Sequence, residues 1–189
     1  MRTIEQIAIK TQDIQTRIAD IGPIYPFNGS PNIEDHPAHA TDWVVDEVTA
    51  VHVFLHPGYL AAVLGDKFSV RLAFNYDIIP GRELELIQLL DGHSVQLDPP
   101  FQGLSHLGYH IVDDRSLFGE LMWWEGRGYL CTQISATVSH TGTPKRYVYA
   151  FIDTRAQIGF YTKVISRVTY PRTIESLVEE FEHVNRTRR

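Results

Sequence analysis

The chain has 189 residues, a hydrophobic fraction of 43%, a charged fraction of 21% and a formal net charge of -6. These values are typical of a globular domain and exclude the fibrous and disordered classes. Nucleic acid is also excluded as a partner, because phosphate contacts need clustered Lys and Arg, and the chain has such a cluster only in its terminal RTRR.

Cysteine content and hydropathy indicate an unprocessed protein of the cytoplasm. Cys131 is the only cysteine, so an intramolecular disulfide and a zinc-ribbon framework are both excluded. The first residues lack the pattern of a signal peptide, and no apolar run approaches the ~18 residues of a membrane span. We therefore expect a cytoplasmic location and no membrane partner.

The first half of the chain predicts the element order β, α, β, β, β. A buried strand over 4–10 is followed by helical spacing of Ile14, Ile18 and Ile21. The stretch 24–41 is rich in Pro, Asn, Gly, Asp and His without periodicity, which predicts a long loop at the entrance of a cavity. Three strands are then predicted over 42–55, 67–79 and 83–90.

The second half of the chain predicts the same order. A strand over 105–112 leads to Asp113 and Asp114, which can cap a helix over 115–125. Strands are then predicted over 129–138, 146–153 and 158–166.

The end of the chain predicts one more helix, which Thr173 can cap and whose apolar residues have helical spacing. We therefore predict one structural domain with three parts. They are a first βαβββ module over 1–100, a second βαβββ module over 101–170, and a C-terminal helix with a basic tail over 171–189.

The two halves are similar in sequence, which indicates an internal duplication. QIAIKTQDI from Gln6 and HLGYHIVDD from His106 start 100 residues apart and share a strand pattern. LELI at 84–87 and TKVI at 162–165 match in the same way. The pairing makes four inward positions equivalent, namely Gln6, Glu85, His106 and Lys163.

Glu85 and His106 lie on strands whose opposite faces are apolar, because side chains alternate along a strand. A carboxylate and an imidazole in such places could bind a divalent cation or move a proton. From these two strands alone, the simpler interpretation is favoured, in which both side chains face water on half-exposed strands.

The stretches QIAIKTQDI, RELELIQLL, GLSHLGYHIVDD and YAFIDTRAQIGFYTKVI resemble the vicinal oxygen chelate superfamily. This superfamily includes glyoxalase I, methylmalonyl-CoA epimerase, extradiol dioxygenases and bleomycin-resistance proteins, and the resemblance runs from about Thr3 to Ser166. It implies an α+β fold in which two βαβββ modules form a cupped mixed sheet, here with an extra C-terminal helix. It also implies a homodimer.

The resemblance implies one divalent metal ion (Zn, Ni, Mn, Fe or Co) held by Gln6, Glu85 and His106. Gln6 stands where His is usual, and Lys163 stands where Glu is usual. A charged lysine about 4 Å from a dication is repelled by several kcal/mol even at an effective dielectric of about 20. A metal therefore requires that Lys163 is uncharged or turned away; alternatively, Lys163 forms an ion pair with Glu85 and fills the metal site.

Two classes of function follow from the resemblance. The first is a metal-assisted lyase or isomerase of the glyoxalase or epimerase type, which abstracts a proton from a small carbonyl or thioester substrate. Lys163, Tyr161 or His110 is the candidate base, since Tyr161 shares the strand face of Lys163, and His110 shares that of His106. Extradiol dioxygenase chemistry fits less well, because its iron needs two His and a carboxylate.

The second class is a metal-free binding protein of the bleomycin-resistance type, with Lys163 in the metal site. Its small-molecule ligand, aromatic or acyl in character, would place an anionic group near Lys163. The residues expected to line its cavity are Phe74, Tyr76, Tyr149 and Phe151.

Overall fold

The computed structural model describes most of the two modules. The described residues are 2–21, 43–56, 65–76, 79, 81–95, 102–139, 147–168, 175–176 and 179–180. The predicted loop over 24–41 lies outside them, as does most of the predicted C-terminal helix. The four described residues of that last segment are helical.

The described elements follow the predicted order in each half. The strands are β1 (Gln6–Lys10), β2 (Val44–Leu55), β3 (Lys67–Asn75), β4 (Glu83–Asp91), β5 (Gly103–Asp113), β6 (Cys131–Ser139), β7 (Val148–Ile152) and β8 (Tyr161–Val168). The helices are α1 (Ile14–Ile21), α2 (Ser116–Glu125) and α3 (Arg155–Ile158).

The sequence did not predict α3, and the predicted start of the last strand at Ile158 is wrong. The short helix ends at Gly159, whose φ of 84° lies in the left-handed region that suits glycine. The chain therefore turns before it becomes extended, and β8 begins only at Tyr161.

The strands close into one barrel in the order β1-β4-β3-β2-β6-β7-β8-β5. The pairs β1/β4 and β5/β8 are parallel, and the other neighbours are antiparallel. Each half contributes four adjacent strands, and the halves meet at β1/β5 and β2/β6. The predicted α+β fold of two βαβββ modules is therefore confirmed, and its cupped mixed sheet closes on itself.

The register of β1 against β5 shows the duplication directly. Gln6 pairs with Gly108, and Ala8 pairs with His106. The position 100 residues after Gln6 is His106, and the position 100 residues before Gly108 is Ala8, so the duplication converts the first pair into the second. Gln6 and His106 are therefore equivalent positions, as the sequence predicts.

The parallel pairs extend this equivalence to the last strand of each module. Ala8 pairs with Glu85 in β1/β4, and Gly108 pairs with Lys163 in β5/β8. Since Ala8 and Gly108 are equivalent, Glu85 and Lys163 occupy matching places in the two halves.

Apolar residues cover both faces of the barrel wall. The helix α1 packs on the outside of the first module through Ile14 against Leu86, and α2 packs on the second through Leu117 and Leu121. A third cluster, which includes Phe151, fills the interior. Because helices cover the outside and the interior is packed, a polar side chain that points inward is buried rather than solvated.

Equivalent aspartates accept hydrogen bonds from the first backbone N–H groups of the two longer helices. The carboxylate of Asp13 accepts a hydrogen bond from the backbone N–H of Gln15 at 2.9 Å, and that of Asp113 accepts one from Ser116 at 2.8 Å. Asp113 therefore binds the first N–H of α2, but the N-cap position itself is held by Arg115, which makes no side-chain cap hydrogen bond.

A buried polar network holds the segment after β4, residues 92–95, at one end of the barrel. The side-chain oxygen of Gln133 accepts hydrogen bonds from the backbone N–H of Val95 at 3.0 Å and the hydroxyl of Ser94 at 3.3 Å. In the same network, His52 Nε2 lies 3.0 Å from the carbonyl oxygen of His93. All polar groups of this network have partners, so it serves the fold.

The opposite end of the barrel carries exposed aromatic side chains. Tyr76 directly follows β3, whose last residue Asn75 pairs with Leu84 near the start of β4. Tyr76 is 56% exposed and Tyr147, which directly precedes β7, is 37% exposed. We call this the open end of the barrel.

Candidate functional site

The structure brings the four equivalent inward side chains together inside the barrel. His106 Nε2 lies 2.9 Å from Gln6 Oε1 and 3.2 Å from Glu85 Oε2, and Lys163 Nζ lies 3.4 Å from the same Glu85 oxygen. All four residues are buried. The roles predicted for them, as metal ligands or base, stay predictions.

The interpretation that Glu85 and His106 face water is wrong. Glu85 is 1% exposed and His106 is 0% exposed. Side chains alternate within each strand as the sequence predicts, but the face opposite Leu86 is the barrel interior. Both side chains therefore depend on each other, and on Lys163 and Gln6, for polar contacts.

His106 is a neutral imidazole that carries its proton on Nε2. Burial, together with the charge of Lys163, lowers its pKa from the ordinary 6.5 to about 4. The two groups that face Nε2, the amide oxygen of Gln6 and the carboxylate of Glu85, are both acceptors, so this nitrogen must donate. Nδ1 then accepts from the hydroxyl of Ser105 at 3.1 Å.

Glu85 is held as a carboxylate. Burial alone raises the pKa of this group, but the positive charge of Lys163 and the hydrogen bond from His106 outweigh burial, so the pKa lies below its ordinary value. A buried carboxylate of this kind is stable only while its cation stays in place. Lys163 is thus the counter-ion of Glu85.

Aromatic rings surround the ammonium group of Lys163. Its Nζ lies 5.1 Å from the ring centroid of Tyr149, within the range of a cation–π contact. Tyr161, a predicted catalytic residue, is 4% exposed, with its ring packed edge-on against Phe151 and below the guanidinium of Arg155 at 4.6 Å. Tyr161 therefore lies in the interior beside the four-residue group.

His110, the third predicted base, has different partners. Its Nδ1 lies 2.6 Å from Glu5 Oε2, and Arg167 reaches the same carboxylate oxygen at 2.6 Å. These three side chains form a partly exposed cluster near the start of β1. The structure does not place His110 in contact with Glu85 or Lys163, and its role as a base stays a prediction.

Glu83 is a member of the site that the sequence reasoning missed. Its carboxylate accepts a hydrogen bond from Gln6 Nε2, and another from the hydroxyl of Tyr76. Burial, followed by the negative charge of Glu85, raises the pKa of Glu83. The alternation of β4 could have identified it, because Glu83 and Glu85 share a strand face.

Small residues between the polar side chains make room for their contacts. A Cβ atom at Gly108 would lie 2.9 Å from Gln6 Oε1, closer than such atoms approach in folded proteins, and 3.1 Å from Gln6 Cβ, which is tighter than most Cβ contacts. Glycine at position 108 therefore lets the Gln6 side chain reach across the strand pair to His106.

The Gly108→Ala variant should lose about 1–3 kcal/mol of unfolding free energy, because overpacking forces Gln6 away from His106. Urea unfolding measures this loss. Gly119→Ala is the matched control, since nothing lies within 4 Å of the added methyl in α2. Alanine there should be neutral or should stabilise the helix by up to about 1 kcal/mol. Equal unfolding midpoints for the two variants would contradict the close contact at Gly108.

The residues present only partly fit a divalent metal. The donor separations of 2.9 and 3.2 Å resemble the roughly 2.9–3.4 Å between neighbouring ligands around a metal with bonds of about 2.0–2.1 Å. However, the proton of His106 occupies Nε2, and the ammonium of Lys163 already neutralises Glu85. With Lys163 charged, the site does not fit a dication. Among the described residues, no group of three or more His, Cys, Asp or Glu side chains is arranged to hold a metal.

Comparison with known proteins finds similar solved structures but no match to a family model or to a curated protein. A hypothetical protein from Bacillus halodurans has a TM-score of 0.48 and 13% identity, covering 91% of this chain and 99% of that chain. Methylmalonyl-CoA epimerase from Mycobacterium tuberculosis has a TM-score of 0.47 and 14% identity, covering 89% of this chain and 88% of that chain.

A variant of the Streptomyces coelicolor methylmalonyl-CoA epimerase, solved with 2-nitronate-propionyl-CoA, has a TM-score of 0.46 and 13% identity. The match covers 90% of this chain and 99% of that chain. At such low identities and TM-scores these likenesses carry no argument about activity. The fold rests on the strand order and register described above. Among the described helices, none is long and apolar enough to cross a membrane.

Proposed function

We propose that this chain is a metal-free member of the vicinal oxygen chelate superfamily that binds a small molecule at the open end of its barrel. The observation that carries the proposal is the ion pair of Lys163 and Glu85, whose Nζ and Oε2 atoms lie 3.4 Å apart in the barrel interior. In this proposal the lysine takes the place of the metal. The ion pair favours this alternative over the metal-assisted enzyme that the sequence resemblance places first.

The electrostatics of the ion pair support the proposal. An ion pair in a protein interior is retained only if each charge has its partner, since one unpaired buried charge costs several kcal/mol. A dication bound to Glu85 Oε2 would lie within about 4–6 Å of the ammonium and would be repelled by several kcal/mol. Metal binding must therefore first remove the charge of Lys163 or displace its side chain.

The ligand is expected to enter through the open end. Phe74 and Tyr76 are stacked there with ring centroids 6.5 Å apart, and Tyr76 hydrogen-bonds to Glu83, which connects the exposed rings to the buried polar group. At the other end, the segment that follows β4 is held by Gln133. Aromatic surface at the open end suits a ligand with an apolar body, as in most small-molecule sites.

Metal analysis tests the proposal. Protein purified without added metal, then incubated with zinc, manganese, nickel, cobalt or ferrous ions and dialysed, is expected to retain less than roughly 0.1 equivalent of metal per chain. About one equivalent of any of these metals, retained by the wild-type protein, would overturn the proposal. Mass spectrometry of the metal content is the measurement.

The second candidate is the metal-assisted lyase or isomerase that acts on a small carbonyl or thioester compound. The observation that favours it is the spacing of Gln6 Oε1, His106 Nε2 and Glu85 Oε2, which matches that of metal ligands. The hydroxyl of Ser105 could also accept a hydrogen bond from Nδ1–H if His106 changed tautomer, which would leave Nε2 without a proton. One equivalent of bound metal would favour this function. The predicted homodimer and cytoplasmic location stay predictions for either candidate.

A further inference from the structure

We propose that the open end of the barrel binds an organic cation, with Glu83 as its counter-charge and Tyr76 as an aromatic contact. This inference rests on the proposed function, because it names the class of ligand that the same site accepts. The proposed ligand is positively charged, whereas the sequence analysis expects a ligand with an anionic group near Lys163.

The charges of the interior do not balance. Glu85 and Lys163 neutralise each other across 3.4 Å, and His106 is neutral. Glu83 makes no ion pair with any described residue, and its hydrogen bonds come from two neutral groups, Gln6 and Tyr76. Among the described residues, Glu83 is thus a carboxylate of this group without an ion-pair partner, and when ionised it gives the group a net negative charge.

The position of Glu83 makes this charge accessible. Glu83 is the first residue of β4, opposite Gln6, and it is only partly buried. Its partner Tyr76 is 56% exposed. A ligand can thus reach the carboxylate from solvent without disturbing the buried pair of Glu85 and Lys163.

The neighbouring side chains suit a cation attached to an apolar body. Tyr76 stacks on Phe74, and Tyr147 lies close enough to Tyr76 to influence its ionisation. Aromatic faces attract ammonium groups, and the attraction adds to that of a carboxylate. The net charge of -6 also favours the approach of cations over anions.

Lys163 is not expected to form a binding site for an anionic ligand. Its ammonium already pairs with Glu85 and lies over the ring of Tyr149. An anion at this place would compete with Glu85 for one ammonium group and would meet the charge of Glu83 nearby. The charge distribution therefore selects positively charged ligands.

Three probes of similar size test the inference, namely benzylamine, benzyl alcohol and benzoate, which are cationic, neutral and anionic at pH 7.5. We expect benzylamine to bind the wild-type protein roughly 10-fold more tightly than either of the others. Titration followed by NMR chemical shifts measures the three dissociation constants and locates the bound ring. Shifts should concentrate around Tyr76 and Glu83.

The Glu83→Gln variant removes the charge but keeps an oxygen that can accept from Gln6 and Tyr76, and it should abolish the preference for benzylamine. Glu47→Gln is the matched control, because it removes a negative charge that pairs with Arg71 on an exposed part of the sheet. This control should keep the wild-type preference. It thereby separates the local effect of Glu83 from that of net charge.

Three results would overturn the inference: benzoate binding as tightly as benzylamine, an unchanged preference in the Glu83→Gln variant, or no binding of any probe to the wild-type protein at 10 mM, a concentration about ten times a weak Kd of 1 mM. Failure of the proposed function looks different, since it would appear as one equivalent of metal in the wild-type protein. A metal-loaded protein that still prefers benzylamine would retain the cation site and reject the metal-free function.

Discussion

The Lys163→Glu variant is expected to become strongly dependent on metal for its stability. Without metal it should lose about 3–5 kcal/mol of unfolding free energy, because Glu85 loses its buried counter-ion and gains a second carboxylate nearby. With zinc or manganese, the added oxygen donor and the removal of the ammonium should raise metal affinity by on the order of 100-fold or more. Urea unfolding with chelator and with metal measures both effects.

Lys163→Met is the control for this variant, because it removes the same ammonium without adding an oxygen ligand. It should lose stability to a similar extent, and metal should restore far less of it than in the Lys163→Glu variant. If zinc raises the unfolding midpoint of the wild-type protein as much as that of Lys163→Glu, then Lys163 does not occupy the metal position. The metal-assisted second candidate would then be preferred.

Opposite charges at two equivalent positions neutralise each other in the polar interior of this barrel. The duplication places Glu85 and Lys163 at matching points of the two parallel strand pairs. Two acidic residues at these points would repel each other unless a cation lay between them. Lysine at one of the two positions supplies a positive charge from the chain itself.

The meeting of the four side chains was implied by the family resemblance, whereas the order of the elements along the chain and the duplication could be predicted from sequence patterns. The predictions depended on periodic patterns and on offsets of 100 residues for β1/β5 and 78 residues for β4/β8, which the register reproduces. Such patterns are local or repetitive, so a single sequence contains them. The equivalence of Gln6 and His106 is the clearest example.

Burial of Glu85 and His106 could not be predicted in the same way. Alternation along one strand separates two faces, but it does not say which face is covered. Here both are covered, because α1 lies over Leu86 on the outside and the interior cluster encloses Glu85. Closure of the barrel is a property of all eight strands together, and no single strand reveals it.

Glu83 was missed for a different reason. It matches Tyr161 in the duplication, since Gln6 pairs with Glu83 and His106 pairs with Tyr161. The two residues differ in chemistry, so the comparison of the halves did not mark them as a pair. The hydrogen bond between Glu83 and Tyr76 forms because β3 and β4 are neighbours in the barrel, and no sequence spacing predicts it.

The unfolding free energy is expected to fall as the pH drops from about 6.5 to about 4, with His106 contributing about 3 kcal/mol of the loss. The folded protein holds His106 neutral with a lowered pKa, whereas the unfolded chain takes up the proton near pH 6.5. The stabilisation is therefore fully present above the unfolded pKa and is lost as the pH falls through the folded pKa. Near pH 5 the slope from this one proton approaches about 1.4 kcal/mol per pH unit.

The His106→Gln variant isolates this contribution, because glutamine does not titrate in this range. Burial also lowers the pKa of His52, so His52 adds to the loss of stability in both proteins and cancels in the difference between them. Urea unfolding at intervals between pH 4.5 and 7 should show a smaller slope in the variant, by about 1 kcal/mol per pH unit near pH 5. Identical slopes would mean that His106 has the same pKa in the folded and unfolded chains. That result would contradict the burial of a neutral imidazole whose Nε2 faces only Gln6 and Glu85 among the described residues.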